Sequence, residues 1–172
     1  LAYLKLFINP HDDVSLLRIA NTPARGLSDV TMERLLAASQ ERHCSVFAAM
    51  RHTDVLASFQ ARTAECIREF VQFTERTRAQ LEGGQRLPLT RWAQQFLAET
   101  GYMDDLRRSE KDPEAAANRV RNLTELVATL DPAEGPAAQP AERLSTFLED
   151  LTLDSDREEE KEAGDAVTLI TM

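Results

Sequence analysis

The chain has few of the residues that stabilise small secreted domains. Its 172 residues include only two cysteines, Cys44 and Cys66. Two widely spaced cysteines cannot form a disulfide framework, so we expect free thiols in a reducing compartment. The apolar opening, LAYLKLFI, is too short to span a membrane and lacks the basic start of a signal peptide. The composition therefore predicts a soluble, cytoplasmic protein with no membrane partner.

Strand-like sequence is also scarce. The one β-branched apolar run, VTLITM, lies within residues 166–172. A strand needs a partner, and the rest of the chain offers none. We therefore expect this run to join a sheet outside the chain and residues 1–172 to form one all-α, multi-helix domain.

Elsewhere apolar residues recur at helical spacing between capping and breaking residues. The spacing predicts one long helix over residues 53–82, and Gly101 is predicted to end a later helix in a left-handed conformation. Residues 131–142 are predicted to form a Pro/Ala-rich loop, and residues 154–165 an acidic loop. The predicted N-caps are Asp12 or Asp13, Ser28 or Asp29, Ser45 and Asp112.

The formal net charge of -9 argues at first against a nucleic-acid partner, because phosphate binding draws on clustered lysine and arginine. However, residues 149–165 hold nine acids and two bases, so most of the excess negative charge lies in one segment. Such a segment repels DNA only from its own surface, because salt screens charges over a short distance. The charge therefore does not exclude DNA binding elsewhere.

Residues 21–35, NTPARGLSDVTMERL, predict a helix end, a tight turn and a new helix. The first amides of that helix would be unpaired, and together with Arg25, Ser28 and Thr31 they could bind one phosphate. Two helices joined in this way can hold a duplex backbone without reading bases. The alternative is an ordinary helix connection in which Asp29 is only a cap.

Three motifs carry a family resemblance. They are the NP-x-DD turn at residues 9–13, the NTP-x-RG turn at residues 21–26, and the R-x-x-N-x-x-E-L run at residues 119–126. With these motifs, nearly the whole chain resembles the 2B subdomain of superfamily 1 DNA helicases of the UvrD/Rep/PcrA type. The terminal VTLITM resembles the strand by which such proteins re-enter motor domain 2A.

The resemblance implies a rotating, autoinhibitory lobe of an ATP-dependent 3'-to-5' DNA helicase that acts in repair or replication. It implies duplex or junction DNA as a partner, together with the other helicase domains and possible protein partners. Ser28 departs from the family, in which a second glycine is common. The implied DNA-binding residues are Thr22, Pro23, Arg25, Gly26, Leu27, Ser28 and Thr31. The implied hinge residues are Asn9, Pro10, Asp12, Asp13, Gly164 and Asp165.

The chain has no G-x-x-x-x-G-K-[ST] loop. ATP and magnesium would therefore bind elsewhere in the parent helicase. The chain alone is predicted to be inactive, with no catalytic residue, cofactor or metal site of its own.

Other interpretations remain open. The chain could instead be a helical interaction domain whose acidic loop binds a basic protein partner and which does not bind DNA. His11, Asp12 and Asp13 could be drawn as metal ligands, but adjacent residues on a turn rarely converge on one ion. Trp92, Phe96 and Tyr102 could stack on the bases of single-stranded DNA, although their helical spacing favours the core.

Overall fold

The computed structural model describes residues 1–83, 87–131 and 139–164, the last eleven of them by their backbone alone. Within these residues the structure is helical without strands, which confirms the predicted all-α class. The predicted strand at residues 166–172 lies outside the described residues. The helices are α1 Ala2–Ile8, α2 Asp13–Ile19, α3 Asp29–Glu41, α4 Val46–Arg51, α5 Thr53–Ala57, α6 Ala61–Glu82, α7 Leu89–Thr100, α8 Tyr102–Ser109, α9 Pro113–Ala128 and α10 Pro140–Gly164.

The first helix, α1, lies at the centre of the domain and packs against α2, α6 and α10. Its Phe7 meets Trp92 and Phe96 of α7 in edge-to-face contacts, with ring centroids 5.5 and 5.1 Å away. Each such pair contributes about 0.5–1.5 kcal/mol beyond the burial of its area. Trp92 is fully buried, and its indole Nε1 donates to the carbonyl of Thr77 at 3.1 Å. These contacts confirm that Trp92 and Phe96 belong to the core.

The following helix ends, which depend on local signals, were predicted correctly. Gly101 ends α7 with φ +67°, the left-handed conformation that glycine adopts at little cost. The side chains that accept a hydrogen bond from a first-turn amide are those of Asp12, Ser28, Ser45 and Asp112.

The predicted single helix over residues 53–82 is wrong, because the chain breaks between α5 and α6. At the break, Arg34 of α3 donates to the carbonyl of Ser58 at 2.8 Å. The Arg34 guanidinium also lies 4.1 Å from the centroid of the Phe59 ring. These contacts come from a distant helix, so the local spacing of apolar residues could not reveal them.

Two predicted loops are also corrected. Residues 140–142 form the first turn of α10, and residues 154–164 continue that helix to Gly164. Proline is well accepted at the first position of a helix, and no glycine or proline occurs from residue 141 to 163. Glutamate and lysine are also strong helix formers. Residues 132–138 of the Pro/Ala-rich segment lie outside the described residues.

Within the described residues, no helix combines the length and the apolar character needed to cross a membrane.

Candidate nucleic-acid interface

The predicted phosphate-binding turn joins α2 to α3. Leu27 is fully buried at its centre, whereas Gly26 and Ser28 on either side of it are exposed. The Thr22–Pro23 peptide bond is cis, and Pro23 is buried. A buried leucine between two exposed residues fixes the turn to the core and leaves its backbone at the surface.

Asn21 organises the inside of the turn. Its Oδ1 accepts hydrogen bonds from the amides of Arg25 and Leu27, at 2.9 and 3.3 Å. Short polar side chains commonly bond the backbone in this way at turns. Two of the turn amides are therefore used within the protein and are not available to a ligand.

The start of α3 leaves other amides open. Ser28 is the N-cap, in an extended conformation with φ -66° and ψ 163°, and its Oγ accepts from the amide of Thr31 at 3.4 Å. The amides of Ser28, Asp29 and Val30 have no hydrogen-bond partner among the described residues, and all three residues are exposed. Unpaired amides at the positive end of a helix dipole form a site that can accept an anion.

Gly26 is required by the geometry of the turn. Its φ is +80°, and a Cβ built at this position would lie 2.9 Å from Sγ of Cys66 on α6. An L-residue is strained at this φ, and the thiol would have to move to make room. By contrast, the negative φ of Ser28 suits any residue, so the missing second glycine does not strain the turn.

Arg25 is used mainly inside the turn. Its Nε donates to the carbonyl of Pro23 at 3.1 Å, and its Nη2 donates to the carbonyl of Thr22 at 3.0 Å and to the hydroxyl of Tyr3. The guanidinium also lies 5.3 Å from the centroid of the Phe70 ring. The side chain predicted to donate to a phosphate thus stabilises the backbone around it.

The structure brings the seven predicted contact residues together in one turn, but it gives them different positions. Thr22, Gly26 and Ser28 are exposed, Arg25 is half-buried, and Pro23 and Leu27 are buried. Thr31 is also buried, and its Oγ1 pairs with Oγ of Ser28 at 3.1 Å. It therefore supports the cap rather than the exposed surface.

Sequence reasoning predicted unpaired amides at the start of this helix but missed the contributions of Asn21 and Tyr3. Asn21 is the first residue of the NTP-x-RG motif. Asparagine side chains commonly accept hydrogen bonds from turn amides, so this role could have been predicted. Tyr3 lies 19 residues before Thr22 and carries no local signal of this contact.

A groove of about 370 Å³ beside the turn does not suit a phosphate. Its lining includes the carboxylates of Glu69 and Glu99, together with Arg25 and Cys66. Glu99 forms an ion pair with Arg76, which also lines the groove. The carboxylates disfavour an anion there, so the start of α3 is the better surface for a phosphate.

The predicted hinge at residues 9–13 is bonded tightly to the rest of the domain. Oδ1 of Asp13 accepts from the amide of Val46 at the start of α4, at 2.8 Å. Hydrogen bonds from the hydroxyl and the amide of Ser15 lower the pKa of Asp12, which caps α2. His11 contacts Ser45 through Nδ1 at 2.7 Å. Each of the three side chains considered as metal ligands thus forms a hydrogen bond within the domain.

Gly164 is the last residue of α10, and Asp165 lies outside the described residues.

Comparison with known proteins supplies the family. Residues 1–172 match the UvrD-like helicase C-terminal domain. The chain is 31% identical over 178 residues to the ATP-dependent DNA helicase PcrA of Bacillus subtilis, and 29% identical over 172 residues to that of Staphylococcus epidermidis. Each alignment covers 100% of this chain and 23% of the relative, so the chain spans about a quarter of the length of these relatives. An all-α domain that matches this family along its full length belongs to the UvrD-like helicase C-terminal domain family.

Proposed function

We propose that the chain is the 2B subdomain of an ATP-dependent 3'-to-5' DNA helicase, and that it binds duplex or junction DNA through the turn between α2 and α3. The family and its helicase relatives support a DNA-processing role. The observation that carries the proposal is the row of exposed amides at Ser28, Asp29 and Val30. These amides would bind phosphate oxygens and so would hold a duplex without reading its sequence.

In this proposal the chain positions DNA and regulates unwinding, and it performs no chemistry. ATP and magnesium would bind in the motor domains of the cytoplasmic parent protein, and residues 166–172 would pair with motor domain 2A. Hydrogen bonds tie Asp13 and His11 to Val46 and Ser45 at the start of α4. These bonds favour a turn at residues 9–13 that moves together with the lobe. We therefore place the hinge at Gly164 and Asp165.

The test uses Val30, whose side chain is 65% exposed in the first turn of α3. In Val30→Glu, a carboxylate beside the open amides should repel phosphate, yet it should favour the helix because it lies at the positive end of the dipole. Val30→Lys should have the opposite effect on binding. The affinity for duplex DNA is measured on the complete protein that the gene encodes, called here the gene-encoded protein. A blunt duplex without single-stranded tails is titrated against it at several salt concentrations.

Val14 supplies a matched control, because it is a 64% exposed valine at the same position in the first turn of α2. We expect Val30→Glu to weaken duplex binding about fivefold or more at low salt, since a contact of unit charges is worth about 1 kcal/mol in water. Val30→Lys should strengthen binding, and Val14→Glu should change it little. Equal effects at the two valines, or no duplex binding at low salt, would contradict the proposal.

A further inference from the structure

We propose that Tyr3 is a positioning residue for the duplex-contact turn, defined as residues 21–31. This inference rests on the proposed function. Tyr3 lies in α1 and does not face the open amides. It acts through the hydrogen bonds that its hydroxyl makes with Thr22 and Arg25.

The three groups form a closed set of hydrogen bonds. The Tyr3 hydroxyl donates to the carbonyl of Thr22 at 2.5 Å. Nη2 of Arg25 donates to the same carbonyl at 3.0 Å and also to the Tyr3 hydroxyl oxygen. One phenolic group thus bonds both the backbone where the turn begins and the arginine that stabilises the turn.

The position of that hydroxyl is set by the core. Tyr3 is only 6% exposed, and its ring lies 5.8 Å from Phe96 and 6.1 Å from Phe7 between centroids. Burial raises the pKa of Tyr3, although the nearby charge of Arg25 acts in the opposite direction. The phenol therefore keeps its proton at neutral pH and remains a donor to Thr22.

The turn is held from its other side as well. Gly26 lies against Cys66 of α6, and Leu27 is buried in the core. A turn fixed at both ends presents the amides of Ser28, Asp29 and Val30 in one arrangement. A preorganised site loses less conformational entropy when a ligand binds, so it binds more tightly than a mobile one.

The test is Tyr3→Phe in the gene-encoded protein, because this change removes only the hydroxyl and keeps the ring. We expect blunt-duplex affinity to fall about three- to tenfold, consistent with the loss of one or two hydrogen bonds that order the turn. Hydrogen exchange at the amides of Arg25 and Leu27 should become faster. Binding to a single-stranded oligonucleotide of the same length should not change.

Tyr102→Phe is the matched control. Tyr102 lies beside Tyr3, with ring centroids 5.9 Å apart, and its hydroxyl has no hydrogen-bond partner among the described residues. Removing it should leave duplex affinity and exchange at the turn unchanged. Arg25→Lys is a second test variant, because it keeps the charge but loses the planar fork of donors. It should weaken duplex binding and speed exchange as Tyr3→Phe does.

The outcomes separate this inference from the proposed function. If Val30→Glu weakens duplex binding while Tyr3→Phe and Arg25→Lys leave affinity and exchange unchanged, the positioning role is overturned and the proposed function stands. If the unaltered protein does not bind a blunt duplex, or if Val30→Glu has no effect, the proposed function fails and this inference fails with it.

Discussion

At the residue scale, Gly26 combines two constraints that are usually separate. Its φ of +80° favours glycine, and Sγ of Cys66 occupies the space that a side chain would need. Gly101 has a similar φ of +67°, but a Cβ there would meet nothing within 4 Å. The two glycines thus allow the cost of the backbone conformation to be separated from the cost of crowding.

We expect Gly26→Ala to destabilise the domain more than Gly101→Ala. The left-handed backbone should cost about 1–2 kcal/mol in each variant, and the displaced thiol should add to the loss at position 26. Adding Cys66→Ala to Gly26→Ala should recover part of that extra loss. Denaturant unfolding of the three variants measures these differences. Equal losses at both glycines, without recovery by Cys66→Ala, would show that Cys66 does not constrain the turn.

Whether the role of a residue could be predicted depended on how far its partners lie from it in the sequence. The turn residues were predictable because proline, glycine and serine act on their own backbone. The partners of Arg25 were not, since Tyr3 and Phe70 lie 22 and 45 residues away from it in sequence. A sequence motif alone could not distinguish a donor that faces a ligand from one that stabilises the turn.

At the element scale, α7 shows how a helix can be capped from far along the chain. Its own flanking residues provide no side-chain cap. Instead the carboxylate of Asp131 accepts from the amides of Leu89 and Thr90, at 3.1 and 2.8 Å. Asp131 also forms an ion pair with Arg143 of α10, so one carboxylate joins α7 to the last helix.

Replacing Asp131 should measurably destabilise the domain. We expect Asp131→Ala to lower the free energy of unfolding by about 1–3 kcal/mol, because it removes a helix cap and the ion-pair partner of Arg143. Asp104→Ala is the control, since it removes an exposed carboxylate paired with Arg107, and such pairs are worth about 0–1 kcal/mol. Thermal or denaturant unfolding measures both variants. Equal effects of the two changes would contradict the capping role.

Because the Asp131 carboxylate stabilises the domain in its charged form, we expect the free energy of unfolding to depend on pH. Burial raises the pKa of Asp131, but the amides of Thr90 and Leu89 and the charge of Arg143 outweigh burial and lower it below the usual 3.8. Its contribution to stability should therefore be complete above about pH 4 and should disappear as pH falls through the lowered value. The stability difference between the unaltered protein and Asp131→Asn should narrow as pH falls below 4. A constant difference down to pH 2 would show that the folded state does not depend on this charge.

Helix boundaries were predictable where the signal is local. Asp12, Ser45 and Asp112 act within one turn of their own helix. The break between α5 and α6 was not predictable, because it depends on the contacts of Arg34 with Ser58 and Phe59. The acidic segment was misjudged for a different reason, since its charge suggested a loop although its residues are good helix formers.

At the scale of the whole molecule, the net charge of -9 is distributed unevenly. Eight of the nine acids of residues 149–165 belong to α10, and Asp165 follows that helix in the sequence. The duplex-contact turn belongs to the α2–α3 end of the chain, where Asp29 is the one acidic residue within residues 21–31. A duplex can therefore bind through backbone amides on a protein that is acidic overall.

The most direct test of the central claim maps the amides that contact DNA. In the gene-encoded protein, hydrogen exchange is measured with and without a saturating blunt duplex at low salt. We predict that the amides of Ser28, Asp29 and Val30 gain protection and that this protection is lost as salt is raised. The amides at the start of α8, where Asp104 and Asp105 lie, should gain none. Unchanged exchange at residues 28–30 in a protein saturated with duplex would contradict the account.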